Sequence, residues 1–503
     1  MHGLLGHERS RVVPWVAAAV VLAALGGGLV AEEPAMAGAP VAVGLLAGWV
    51  VLCRRRPALA FTLVVGLVVF SSHALALAHN VGVPASLIKY AILAKDILCW
   101  ILFAALAVRL VRERRDAGPL LLVVLFVAIC GTFLVLVGSP APPIVQIQAM
   151  RGVLIPMLAM GTVALLRPGE RRRVSVLSVY MIAIAAAYAL CELLLPESYL
   201  TDVIAVGRYW SDVKEQPLFL DPLTGLPGNF FTTDGFPRLS GTFGDPLSAG
   251  ECLGAGLILA VAYRSVLRRP LLVLVVISAA LLLTFTRNGW LLATIGLSVF
   301  AVLRYGAGRT LLGAAPIVAG AIFAAQQIPP LQAYVTGIVG GSDASTQNHQ
   351  AALENSFNLT FYPAGTGWGT GGASALQTFS AAVTSENTYV VILTQVGWIG
   401  FILLAIPFTL LGLLVVRRQP FAAVGIAVLL AQAVTGLVSE NLLTFNAGFL
   451  PFALVGLVAV APSPAARGPG RSTTGSSLRP VAATGQDASR VPESGPALPT
   501  PQS

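Results

Sequence analysis

The chain has 503 residues, 56% of them hydrophobic and 11% charged, with a formal net charge of +9. A soluble protein carries about twice that share of charge, and the mean hydropathy of +0.82 points to a chain that lives in lipid. The basic excess does not indicate a nucleic-acid partner, because the arginines fall in short clusters between apolar runs, as in proteins whose basic loops set membrane orientation.

Apolar stretches near 20 residues recur from Val12 to Ala461, the length needed to cross a bilayer as a helix. They are rich in Ala, Leu, Val and Gly and lack the alternation of barrel strands, so the fold class is an all-α polytopic membrane protein. The expected spans are 12–31, 35–53, 58–78, 87–108, 119–138, 152–167, 174–195, 247–263, 270–285, 289–303, 311–326, 388–416, 421–437 and 448–462, about 14 helices. The long 388–416 run reads as a tilted helix, or as a short interfacial helix leading into a span. The first run is read as a retained helix rather than a cleaved signal.

The basic clusters are Arg9/Arg11, Arg54–Arg56, Arg109/Arg112/Arg114/Arg115, Arg167/Arg171–Arg173, Arg264/Arg268/Arg269, Arg304/Arg309 and Arg417/Arg418. Two spans fit between each successive pair, so every cluster can lie in the cytoplasm with both termini inside. This divides the chain into N-terminal helices (1–195), an extracytoplasmic loop (196–246), helices (247–326), a second large extracytoplasmic loop (327–387), C-terminal helices (388–462) and a Pro/Ser/Thr/Gly/Ala-rich cytoplasmic tail (463–503) expected to be disordered. The location expected is the cytoplasmic (inner) membrane. The five cysteines form no CxxC and read as small apolar residues, and no metal site is expected.

Seven cations lie outside the basic clusters and tail: Lys89, Lys95, Arg151, Arg208, Lys214, Arg238 and Arg287. Each opposes the positive-inside bias. Arg287 sits in Thr284-Phe285-Thr286-Arg287-Asn288-Gly289-Trp290, a tight turn between spans. It reads as a snorkelling interfacial arginine or as an anion clamp. Arg238 has the same two readings and is followed by Asp245-Pro246, which suits a helix start with Asp245 near the N-cap. The second loop closes on Thr384-Ser385-Glu386-Asn387-Thr388-Tyr389. There Ser385 suits an N-cap and Glu386 either favours the positive helix end or acts on a ligand. Upstream, Pro363-Ala364-Gly365-Thr366-Gly367-Trp368-Gly369 lacks the Lys-Ser/Thr of a P-loop and reads as a close backbone approach to a ligand or as a plain loop. His349 is the sole histidine of the large loops. Lys95, Asp96, Glu192 and Glu251 fall within or near spans, where charges are functional suspects.

In order and sidedness these segments resemble the O-antigen ligase and O-antigen polymerase family of bacterial envelope enzymes. Arg238-Leu239-Ser240-Gly241-Thr242-Phe243-Gly244-Asp245-Pro246 is similar to the family's Arg-x-x-Gly-Thr-Phe-x-(Asn/Asp)-Pro segment, and Thr284-Phe285-Thr286-Arg287 to its Thr-x-Ser-Arg turn. Pro363-Ala364-Gly365-Thr366-Gly367 matches its Pro-x-x-Gly-x-Gly, and Glu386-Asn387-Thr388-Tyr389 with Gly397-Trp398-Ile399-Gly400 matches its closing helix. Glu386 stands where the family has histidine, and Asp245 where it commonly has asparagine.

The resemblance implies a glycosyltransferase that moves a glycan from a polyprenyl-pyrophosphate-linked donor to an acceptor sugar hydroxyl on a glycan or lipid-linked acceptor. The bilayer is then a partner, nucleic acid is not, and no cofactor or metal is used. It implies Glu386, Arg287 and Arg238 as catalytic residues, with Tyr389, Asn387, Asp245 and His349 binding substrate. Two other classes fit parts of the chain: a transporter or flippase built on Lys95, Asp96, Glu192 and Glu251, and a metal-dependent transferase using Glu32-Glu33.

Overall fold

The computed structural model describes residues 34–113, 139–196, 198–215, 220–232, 235–310, 354, 362–372, 387–416, 422–437, 439 and 441–459. The expected spans 12–31, 119–138 and 311–326 and the tail 463–503 lie outside these residues, as do Glu386, His349 and Glu32-Glu33.

The described chain is built from eleven long helices: α1 (Pro34–Arg55), α2 (Pro57–Asn80), α3 (Ala85–Arg112), α4 (Pro143–Leu165), α5 (Pro168–Glu192), α6 (Pro246–Tyr263), α7 (Pro270–Leu283), α8 (Arg287–Tyr305), α9 (Thr388–Val416), α10 (Ala422–Thr435) and α11 (Phe445–Ala459). Proline occupies the first turn of α2, α4, α5, α6 and α7, where its missing N–H costs nothing and its fixed φ favours entry to the helix. Among the described residues, seven helices are long and apolar enough to cross a membrane, and α7, α10 and most of α11 form shorter apolar helices. The expectation of a helical membrane protein therefore holds, and each expected span that falls on described residues coincides with a helix.

α6 and α11 form the centre. α6 packs on α5, α7, α8 and α11, and α11 also packs on α2, α4, α5, α9 and α10. Close packing in a bilayer relies on small residues that let backbones meet. Here a Cβ on Gly254 would lie 2.5 Å from the Gly289 carbonyl oxygen, and one on Gly289 2.3 Å from that of Gly250. The Gly250-xxx-Gly254 step thus sets the α6–α8 contact.

One end of the bundle carries the arginine clusters of the described residues. Arg109 binds Glu170 through both guanidinium arms, at 2.7 and 2.9 Å, tying α3 to α5. Arg167 pairs with Glu113. Arg171 donates to the carbonyls of Leu166 (3.0 Å) and Ala164 (2.8 Å) at the end of α4. The Tyr263 hydroxyl donates to the Leu457 carbonyl at 3.0 Å, joining α6 to α11.

α4 begins nine residues before the expected 152, so Arg151 lies inside a helix rather than before one. The reason is an ion pair: Arg151 Nε is 2.8 Å from Asp96 Oδ2 on α3. A charge that forbids an isolated span is accommodated once a second helix supplies the counter-charge. In α9, Gly397 takes φ 67° and ψ 179°, breaking the run into a short helix and a longer one. The second of the two readings of 388–416, a short helix leading into a longer one, describes its backbone.

The described residues of the first large loop are folded. Residues 199–203 and 209–213 form π-helical turns around the turn Val206–Arg208. Ile204, Val206, Tyr209, Trp210, Val213, Leu226 and Phe230 share an apolar cluster with Ala76 of α2 and Ile88 of α3.

Candidate functional site

The site lies at the end of the bundle opposite the arginine clusters, where α5, α7 and α10 finish and α6, α8, α9 and α11 begin. Arg238 starts it. Its Nε donates to the Thr284 carbonyl at 2.9 Å, and one Nη donates to the Phe285 carbonyl at 3.2 Å and the Thr286 hydroxyl at 3.1 Å. The Leu239 amide donates to the Leu283 carbonyl at 3.0 Å. The Thr286 hydroxyl donates to the Pro246 carbonyl at 2.9 Å. Segments 238–246 and 283–287, separate motifs in the sequence, are therefore one interlocked unit.

That unit holds an unfavourable backbone. Phe285 sits at φ 49°, a region that non-glycine residues rarely enter and that costs of order 1–3 kcal/mol. Its ring is buried and packs edge-on against Phe236 at 5.2 Å between centroids. Thr286 is the N-cap of α8 but makes no side-chain cap bond, its hydroxyl being used for the interlock. Arg287 is then the first residue of α8. A cation at the positive end of a helix is disfavoured by roughly 0.3–1 kcal/mol, so helix stability does not account for it.

On the other strand of the interlock, the Ser240 hydroxyl donates to Glu192 Oε1 at 3.2 Å. Gly241 and Gly244 turn the chain with φ of 52° and 79°, and Cβ atoms there would sit 2.8 Å from Ala189 Cβ and 2.6 Å from Ser72 Cβ. Asp245 caps α6 by accepting the Ser248 amide at 2.8 Å. From α11, Asn446 Nδ2 donates to the Ser72 hydroxyl at 3.1 Å and the Phe243 carbonyl at 3.4 Å. Glu251, one turn into α6, is 1% exposed.

The Pro363–Gly369 loop and the Gly397 break form a second unit. Breaking a helix in lipid leaves carbonyls that need donors. The Thr366 amide donates to the Thr394 carbonyl at 2.8 Å and the Gly367 amide to that of Gln395 at 2.9 Å, while the Ile399 amide donates back to Pro363 at 3.2 Å. Gly369 N donates to Gln395 Oε1 at 2.8 Å. A Cβ on Gly397 would lie 2.2 Å from the Pro363 carbonyl oxygen. The close backbone approach read from the glycines is thus made to helix α9. Trp368 is fully buried, and its carbonyl accepts from the Ser139 hydroxyl at 2.6 Å.

The start of α9 differs from the expected cap. Asn387 Oδ1 accepts the amides of Tyr389 (2.9 Å) and Val390 (3.3 Å), so Asn387 rather than Ser385 is the N-cap. Asparagine is as good a cap as serine, and it takes the end one residue past Glu386. The Tyr389 hydroxyl donates to the Ala433 carbonyl of α10 at 2.7 Å. The Thr388 amide donates to Gly436 at 2.9 Å and its hydroxyl to Ser439 at 2.5 Å. Asn387 and Tyr389 therefore bind protein backbone at this end of the bundle.

The remaining outlying cations also have partners. Lys89 pairs with Glu215, and Arg208 donates to Asn80 Oδ1 at 3.4 Å. The Lys95 ammonium donates to the Ser71 hydroxyl at 3.0 Å, and that of Lys214 lies 3.6 Å from the centroid of a Trp210 ring. Burial pulls the Lys214 ammonium down to about 8, against the pull of the Asp245 carboxylate. Burial pushes Tyr209 up to about 12, with Arg151 acting the other way. Lys95, Arg151 and Lys214 are three of the seven exceptions to the charge bias. A cleft of ≈ 370 Å³ opens beside the loop, lined by residues including Arg208, Ser211, Asp212 and Thr224.

No protein-family model matches the chain, and a search of curated proteins returns no match.

Proposed function

We propose that this protein is a glycosyltransferase of the O-antigen ligase and polymerase kind. It moves a glycan from a polyprenyl-pyrophosphate-linked donor to an acceptor sugar hydroxyl on the outer face of the cytoplasmic membrane. In this reading the chain spans the membrane about 14 times with both termini in the cytoplasm.

The observation that carries the proposal is the interlock of Arg238 with Thr284–Thr286, which holds Arg287 at the start of α8 beside Asp245-Pro246. Cleaving a sugar–pyrophosphate bond leaves growing negative charge on the departing phosphate. A fixed guanidinium stabilises that charge, and the amides at a helix start add to it. Arg287 is the residue for this task. Arg238, bonded to the turn, positions it. Glu386 precedes the α9 cap and serves as base toward the acceptor hydroxyl. A carboxylate near its ordinary value of about 4.3 is a weaker base than imidazole, and acts by orienting the hydroxyl as well as by taking its proton.

Deleting the gene and analysing lipid-linked and surface glycans separates the two acceptor classes. Polymer retained on lipid indicates a ligase, and single repeat units a polymerase. An Arg287→Ala chain is expected to accumulate lipid-linked glycan. Normal surface polymer in that strain would overturn the proposal.

Burial of Lys95, Asp96, Glu192 and Glu251, each at most 8% exposed, favours one other reading, a transporter or flippase for lipid-linked glycan. Reconstituted transport lost in Asp96→Asn and kept in Arg287→Ala would select it.

A further inference from the structure

We propose that Lys95, Arg151 and Lys214 form an oxyanion pocket beneath the first large loop, one that takes the phosphate oxygens of a pyrophosphate-class ligand. The ligand class rests on the transfer reading above; the pocket itself stands on its geometry.

Three cations reach this place from three elements. Lys95 comes from α3, Arg151 from α4 and Lys214 from the chain just after the 209–213 turn, which packs on α3. Arg151 presents its Nε edge to Asp96 at 2.8 Å. Among the described residues neither Nη group is hydrogen-bonded, and 23% of the side chain remains exposed. A guanidinium held by one edge offers the other as a planar fork, the geometry that phosphate oxygens accept. Asp96 fixes that orientation. Its Oδ1 is buried with no hydrogen-bond donor among the described residues, so it is set to accept a hydroxyl of a sugar attached to the phosphate. Lys95, fixed on Ser71, adds a point charge. Lys214, over the Trp210 ring of the turn that packs on α3, adds another from the loop side.

Packing does not require this arrangement. A cation placed within an apolar helix bundle is costly, and an apolar residue at Lys95 or Arg151 would avoid that cost. The pocket also gives the first loop a task, since its apolar cluster seats Lys214 over α3.

The test is ligand binding by the full chain in nanodiscs, by calorimetry, with farnesyl pyrophosphate, inorganic pyrophosphate and farnesol. Farnesyl pyrophosphate is expected to bind, with Lys214→Gln and Arg151→Gln each weakening it by about tenfold or more and Arg151→Lys by less. Farnesol binding is expected to be indifferent to all three. Arg151→Gln leaves Asp96 uncompensated; if it fails to fold, the Asp96→Asn/Arg151→Gln pair carries the test alongside Lys214→Gln. Wild-type affinity in folded variants would overturn the pocket and leave the transfer reading intact. Binding of inorganic pyrophosphate, lost in the variants, without binding of the isoprenoid pyrophosphate would keep the pocket as a free-anion site and remove support for a lipid-linked donor. No binding of either anion by wild type would overturn the pocket.

Discussion

Arg238 and Arg287, 49 positions apart, do different work. Arg238 donates to two carbonyls and a hydroxyl of one turn. Removing a charged donor from partly buried acceptors costs on the order of 3 kcal/mol, so Arg238→Ala is expected to lower the melting temperature in detergent as well as activity. Arg287 sits at the positive end of α8, so Arg287→Ala is expected to stop transfer in a chain that still folds. Loss of stability in Arg287→Ala would return it to a structural role. Glu386 is tested the same way. With Asn387 as the cap, Glu386→Gln is expected to keep stability and lose rate, whereas Asn387→Ala costs about 1 kcal/mol of stability. Lys214 adds a pH dependence. Its folded-state value of about 8 lies below the ordinary 10.5. Between these values the unfolded chain holds a proton that the folded chain has lost, so this group makes stability rise with pH there. Anion affinity has the opposite sign. It is expected to fall as pH rises through about 8, with a shallower fall in Lys214→Gln, as titration calorimetry at a series of pH values would show.

Among the helices, the decisive features are breaks and close contacts. The α9 break survives because the Pro363–Gly369 loop supplies donors to Thr394 and Gln395. Gly397→Ala meets both a positive φ and a 2.2 Å contact with the Pro363 carbonyl oxygen. It is expected to cost at least about 1–3 kcal/mol, visible as a lower melting temperature and as earlier proteolysis in the 362–372 segment. The α6–α8 contact fails in a similar way. Gly254→Leu has no space against the Gly289 backbone and is expected to separate α8 from α6, displacing Arg287 and abolishing activity. The sequence shows these glycines but not their partners. Gly365 and Gly397 lie more than thirty positions apart, and nothing in either motif says that each completes the other.

For the molecule as a whole, hydropathy and arginine placement already contain the helical membrane fold and its two unlike ends. Twenty apolar residues have few alternatives to a helix in lipid, because every backbone polar group needs a partner within the segment. Local chemistry also determined the Asp245-Pro246 helix start, through a side chain that reaches an amide three residues on. Tertiary structure decided the rest. It placed Arg151 inside a helix by pairing it with Asp96, moved the α9 cap to Asn387, packed described residues of the first large loop against Ala76 of α2 and Ile88 of α3, and gave Arg238 to the turn that carries Arg287. These are contacts between residues 40 or more positions apart or choices among neighbouring caps. Their energies depend on which helices meet, and periodicity along one chain carries no record of that.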